Sequence, residues 1–120
     1  NMELEKKKRE YIGLLEESVE NIVKKLSERV EKIIVFGSYN RRRDLFTDLD
    51  IIVVMKTNKP FIERLKEIYS TLSLPVDADI LCYTPKEFER MKERGFFKKL
   101  MKEAVVIYEK KSNRGRKKVA

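Results

Sequence analysis

The stretch Ile33-Ile34-Val35-Phe36-Gly37-Ser38, followed after nine intervening residues by Asp48-Leu49-Asp50-Ile51-Ile52-Val53-Val54, decides how this chain folds. Its first half is a short, continuous apolar run rich in β-branched residues, the pattern of a strand buried on both faces. Gly37 stops the run, and Ser38 is suited to cap a turn or short helix reaching to about Arg43. The second half repeats the apolar run behind a pair of acids. The segment between the runs is too short for a full crossover helix, so the two strands are expected to be antiparallel neighbours.

Two carboxylates two residues apart on a strand share a face, about 6.6 Å apart along the axis. Placed so, Asp48 and Asp50 repel each other and are costly to bury unpaired. A divalent cation resolves the conflict, and Mg²⁺ in particular accepts carboxylate and phosphate oxygens without a complete protein cage. The alternative is that both acids face water from an edge strand. Gly37 lets the backbone approach a ligand closely, and the amide and hydroxyl of Ser38 can donate to phosphate; an ordinary strand-end turn needs the same residues. Arg41, Arg42 and Arg43 suit either phosphate neutralisation or a solvated basic loop, with Arg41 and Arg43 the preferred contacts.

Outward from this centre, the residues before it read as one helix over 3–28, with Tyr11, Leu15, Val19, Ile22, Val23 and Leu26 on its apolar stripe. The first strand is expected over 30–36 and the second over 48–55. Pro60 fits the first turn of a helix whose inner stripe is Phe61, Leu65, Ile68, Tyr69 and Leu72. Leu74-Pro75 ends it. A third strand over 76–83 turns Val76, Ala78 and Ile80 one way and Asp77, Asp79 and Leu81 the other. Asp79 brings a third strand carboxylate, able to complete a metal site or act as a base, with Asp77 its competitor. Thr84-Pro85-Lys86-Glu87 has the form of a capping box opening a short helix that ends at Gly95. Phe96, Phe97, Leu100 and Met101 give a further helical turn or two, and 104–108 a last short strand. The mixed order of elements predicts an α+β fold, a small mixed β-sheet with flanking helices.

Composition narrows the chemistry. With no histidine among 120 residues, Ser-His-Asp and Cys-His catalysis and histidine-ligated zinc are excluded. The single cysteine, Cys82, lies in an apolar run and reads as a buried small hydrophobe. The net charge of +8 falls to +2 once the six cations past Glu109 are set aside. A single domain is therefore expected over 1–109, with a basic, flexible tail over 110–120. That tail suits weak nucleic-acid contact or solubilisation equally. No apolar run approaches membrane-spanning length and no leader pattern opens the chain, so a cytoplasmic protein is expected.

Phe36-Gly37-Ser38, the nine-residue gap and Asp48-Leu49-Asp50-Ile51 together resemble the signature of the DNA polymerase beta nucleotidyltransferase superfamily. Asp79 with the run Ile80-Leu81-Cys82-Tyr83-Thr84-Pro85-Lys86-Glu87-Phe88 resembles the minimal nucleotidyltransferases of prokaryotes, many of which are antitoxins of HEPN-domain proteins. The resemblance covers roughly residues 10–109. It implies the polymerase beta-like fold and an enzyme that transfers a nucleoside monophosphate, AMP from ATP, to a hydroxyl of a HEPN partner. Gly37 and Ser38 would hold the triphosphate, and Asp48, Asp50 and Asp79 would bind Mg²⁺, with Asp79 also assisting deprotonation of the acceptor. The family often has Arg-Gly and a Ser before the first acid; here the segment reads Tyr39 to Thr47, with Thr47 in place of the Ser and no Gly. A binding antitoxin that only masks its partner is the rival expectation. Transfer to a small molecule or a nucleic acid ranks lower, because such enzymes generally add a second domain.

Overall fold

The computed structural model describes residues 1–36 and 49–111. The first helix, α1 (Met2–Leu26), starts at Asn1, whose side-chain oxygen accepts from the Glu3 and Leu4 amides at 2.9 and 3.4 Å. Glu3 and Glu5 in its first turn and Lys24 and Lys25 in its last both complement the helix dipole. Leu15, Ile22 and Leu26 are buried along one stripe, and Tyr11, Val19 and Val23 flank them against the core, as the sequence periodicity requires.

Four strands follow: β1 (Lys32–Phe36), β2 (Leu49–Val54), β3 (Ala78–Tyr83) and β4 (Val105–Glu109). They form one sheet in the order β3-β2-β1-β4. β1 pairs antiparallel with β2 and with β4, whereas β2 and β3 run parallel. Parallel pairing needs a crossover, supplied by α2 (Phe61–Thr71). Between β3 and β4 lie α3 (Pro85–Met91) and α4 (Gly95–Met101).

The sheet is covered on both faces, which is why β1 and β2 read as continuous apolar runs. On one face Ile33, Val35, Leu49, Ile51, Val53, Ile80 and Cys82 pack with α1 and with Ile68 of α2. On the other, Ile34, Ile52 and Val54 pack with Phe88 of α3, joined by Phe97 and Met101 of α4. This is the α+β architecture expected, and the first two strands are antiparallel neighbours as predicted. Among the described residues no helix is long and apolar enough to cross a membrane.

The structure corrects three local readings. Gly95 does not close the helix after Thr84; α3 stops at Met91 and Gly95 opens α4. Pro60 is the N-cap of α2 rather than its first helical residue. Phe61 and Tyr69 leave the inner stripe of α2 for its rim, both being exposed, while Ile68 alone of the five expected residues is fully inside. The Thr84 capping box forms in full: Thr84 Oγ1 accepts from the Glu87 amide at 3.2 Å and Glu87 Oε1 accepts from the Thr84 amide at 2.8 Å. The expected tail past Lys111, and the turn at Ser38, lie outside the described residues.

Candidate active site

Strand direction brings two of the sequence-predicted acids, Asp50 and Asp79, to one end of the sheet. Phe36, the last residue of β1, is opposite Asp50 near the start of β2. Because β3 runs parallel to β2, its start lies at that same end, and Asp79 is the register partner of Asp50. Neighbouring strands lie about 4.8 Å apart, so the two carboxylates stem from adjacent points of one row. Their alternation with Ile52 and Val54, and with Leu81 and Tyr83, puts both on the face covered further along by α3 and α4. Asp50 is half-buried and Asp79 exposed.

Asp77 is not equivalent. It precedes β3, is exposed, and contributes its main-chain carbonyl, which accepts from the Leu49 amide at 3.2 Å. Gly37, Ser38, Arg41, Arg43 and Asp48 lie outside the described residues. Phe36, the last described residue before them, is opposite Asp50, and Leu49, the first described residue after them, donates its amide to the Asp77 carbonyl. Both flanking residues thus adjoin the Asp50–Asp79 row. Among the described residues no group of three or more Cys, Asp or Glu side chains could hold a metal. Asp50 and Asp79 supply two hard oxygen donors on one face, a set that fits Mg²⁺ chemistry and needs further oxygens to complete it.

The free edge of β3 is held by two side chains that the sequence reading did not assign to the site. Tyr69 Oη donates to the Ala78 carbonyl at 3.2 Å and accepts from the Ile80 amide at 2.8 Å, bracketing Asp79. Arg64 Nη1 reaches the outward carbonyl of Cys82, further along the same edge, at 3.2 Å. Arg64 also makes a two-pronged pair with Glu87, at 2.7 and 3.3 Å, and its Nε donates to the Lys59 carbonyl at 2.7 Å. One guanidinium therefore ties α2, β3 and α3 together. The signal was present: a cation at the helical spacing of Phe61, Leu65 and Ile68, where an apolar residue belongs. The Arg64 hydrogen bond, helped by the Thr84 amide, holds the Glu87 carboxyl below its ordinary range. Burial pushes the Cys82 thiol up to about 11, so it stays protonated and packs as the hydrophobe it was read to be.

Residues 17–113 match the sequence family described as Polymerase beta, Nucleotidyltransferase. The chain belongs to this family. Its fold agrees with that of a candidate nucleotidyltransferase from Sulfolobus solfataricus known from a crystal structure, at a TM-score of 0.56. The two are 18% identical, and the match covers 89% of this chain and 87% of the other. No curated protein sequence matches the chain. The small mixed sheet with its flanking helices is thus a nucleotidyltransferase fold. The family relationship implies a nucleoside triphosphate as substrate and the use of a divalent metal.

Proposed function

We propose that this polymerase beta-type domain transfers AMP from ATP to a hydroxyl of a partner protein, as the antitoxin half of a HEPN-type toxin–antitoxin pair. The observation that supports it is the register pairing of Asp50 with Asp79, at the sheet end where β1 stops at Phe36. In this reading Gly37, Ser38, Arg41 and Arg43 grip the triphosphate. Asp48, Asp50 and Asp79 hold Mg²⁺, which when bound supplies positive charge against the phosphate oxygens. The acceptor oxygen attacks the α-phosphorus in line, its proton passes to Asp79, and the bond to the β-phosphate breaks with release of pyrophosphate. No histidine is needed, since a carboxylate serves as base.

The test is transfer of label from α-labelled ATP, with Mg²⁺, to a HEPN protein encoded beside this chain. Asp50→Asn and Asp79→Asn are each expected to cut transfer at least about a hundredfold while the complex still forms, being closer to the metal than the supporting groups whose loss costs 10–100-fold. Absence of label transfer and of pyrophosphate release with every nucleoside triphosphate would refute the proposal. Masking without chemistry draws its support from Val105 and Val106, apolar and exposed on the edge strand β4. Under masking, a variant with both Asp48→Asn and Asp50→Asn still neutralises the partner fully; under transfer, it does not.

A further inference from the structure

The sheet face that carries Asp50 and Asp79 holds a second feature at its other end. Four aromatic rings follow one another there. Phe61 meets Tyr83 at 5.9 Å between ring centres, Tyr83 meets Phe97 edge-on at 6.3 Å, and Phe97 meets Phe96 edge-on at 6.2 Å. The row is open at both ends, Phe61 being 36% exposed and Phe96 72%. Against it lies a cavity of about 270 Å³ lined by Phe61, Tyr83, Glu87, Arg90, Met91 and Arg94.

The charge of this cavity is positive despite Glu87. Both oxygens of that carboxylate are engaged by Arg64, and one also accepts from the Thr84 amide. Arg90 and Arg94 are exposed, and among the described residues neither has an acidic partner. Further cations lie near the cavity in sequence: Lys86 is one turn before Arg90 on α3, Arg94 precedes α4, and Lys98 is on α4. Arg90 also lines an adjoining depression of about 540 Å³ with Pro85, Lys86 and Glu89, whose carboxylate pairs with Lys92 at 2.9 Å. Exposed cations beside accessible rings are the elements from which sequence-tolerant single-strand surfaces are built. An acidic peptide would use the cations and leave the rings idle.

We propose that this surface binds single-stranded nucleic acid, with one base against Phe61 and Tyr83 in the cavity and neighbouring phosphates on Arg90 and Arg94. It is separate from the candidate active site. Tyr83 is four residues beyond Asp79 along β3, about 13 Å at strand rise. The basic stretch past Glu109 contains no aromatic residue and so lacks the stacking half of this arrangement.

The experiment titrates a labelled 12-nucleotide single strand, as RNA and as DNA, with the full chain at several salt concentrations. A double variant with Arg90→Ser and Arg94→Ser is expected to bind at least about tenfold more weakly at low salt. Its log–log salt dependence should be shallower by about 1.4, since each lost contact on a single strand removes roughly 0.7. Phe61→Leu keeps the wild-type salt dependence but weakens binding at least about fivefold, through lost stacking. Asp50→Asn binds as wild type, which separates this surface from the transfer site whether or not transfer occurs. The replaced arginines are exposed and, among the described residues, without an acidic partner, so thermal unfolding of the double variant should match wild type; should it not fold, Phe61→Leu alone decides. Undetectable strand binding, unchanged affinity in the arginine double variant and Phe61→Leu, equal binding of a mononucleotide, or equal competition by a phosphopeptide of matched charge would each overturn the proposal.

Discussion

Arg64 stands where the helical period of α2 asks for an apolar side chain, and it is 7% exposed. A buried cation survives only when its hydrogen bonds are met, and here two carbonyls and both oxygens of Glu87 meet them. Arg64→Met keeps the apolar stem but strands the Cys82 and Lys59 carbonyls and the Glu87 carboxylate. A loss of about 2 kcal/mol at pH 7 is expected from urea unfolding, below the full cost of breaking a buried pair because Glu87 is partly solvated. The pH dependence has a definite sign. The native Glu87 carboxyl is held below its ordinary 4.5, chiefly by the Arg64 hydrogen bond. A lowered native value means stability that is present above 4.5 and is lost as pH falls through that lowered value. The gap between wild type and Arg64→Met should therefore narrow in acid. A gap that stays constant from pH 7 to pH 3 would show that the ion pair is not its source.

At the scale of elements, α2 both carries the crossover between the parallel strands and closes the outer edge of β3. An unprotected edge strand offers its amides and carbonyls to other chains. The Tyr69 hydroxyl occupies that edge on either side of Asp79, donating to Ala78 and accepting from Ile80. Tyr69→Phe retains the ring and removes only this bridge. The expected loss is about 1 kcal/mol, the worth of an ordinary hydrogen bond, with an unchanged denaturant slope. If Asp79 serves the transfer proposed for it, the same variant should raise the Mg²⁺ concentration needed for half-maximal activity more than it changes the rate at saturation. An unchanged unfolding midpoint would show that the bridge carries no weight. Among the described residues β4 has no such cover, and its Val105 and Val106 are exposed.

For the whole molecule, what could be read in advance follows from how far each signal depends on neighbours in sequence. The central strands announced themselves because burial on both faces demands unbroken apolar runs, as at Ile33–Val35 and Ile51–Val54. The Thr84 capping box was equally local. Gly95 was misread because a glycine suits the end of one helix and the start of the next alike. The parallel partnership of β2 and β3, which sets Asp79 beside Asp50, joins residues 29 apart in sequence. Alternation could give Asp79 its face but not its neighbour. The Arg64–Glu87 pair is hidden for the same reason: the capping box gives Glu87 its local partner Thr84, but not a guanidinium 23 residues away. The strand order then makes a prediction about how the molecule opens. β1 and β2 are interior to the sheet and buried on both faces, whereas β4 is an edge with exposed valines and a register shift opposite Ile33/Ile34. Amides of β1 and β2 should exchange with solvent only through global unfolding, at the free energy given by denaturant titration. Outward-facing β4 amides should exchange faster by local fraying, and β3 should fall between, because Tyr69 satisfies its outward Ile80 amide. Native-state hydrogen exchange resolves the three strand classes directly, and a β4 as protected as β1 would mean that its edge is covered in solution.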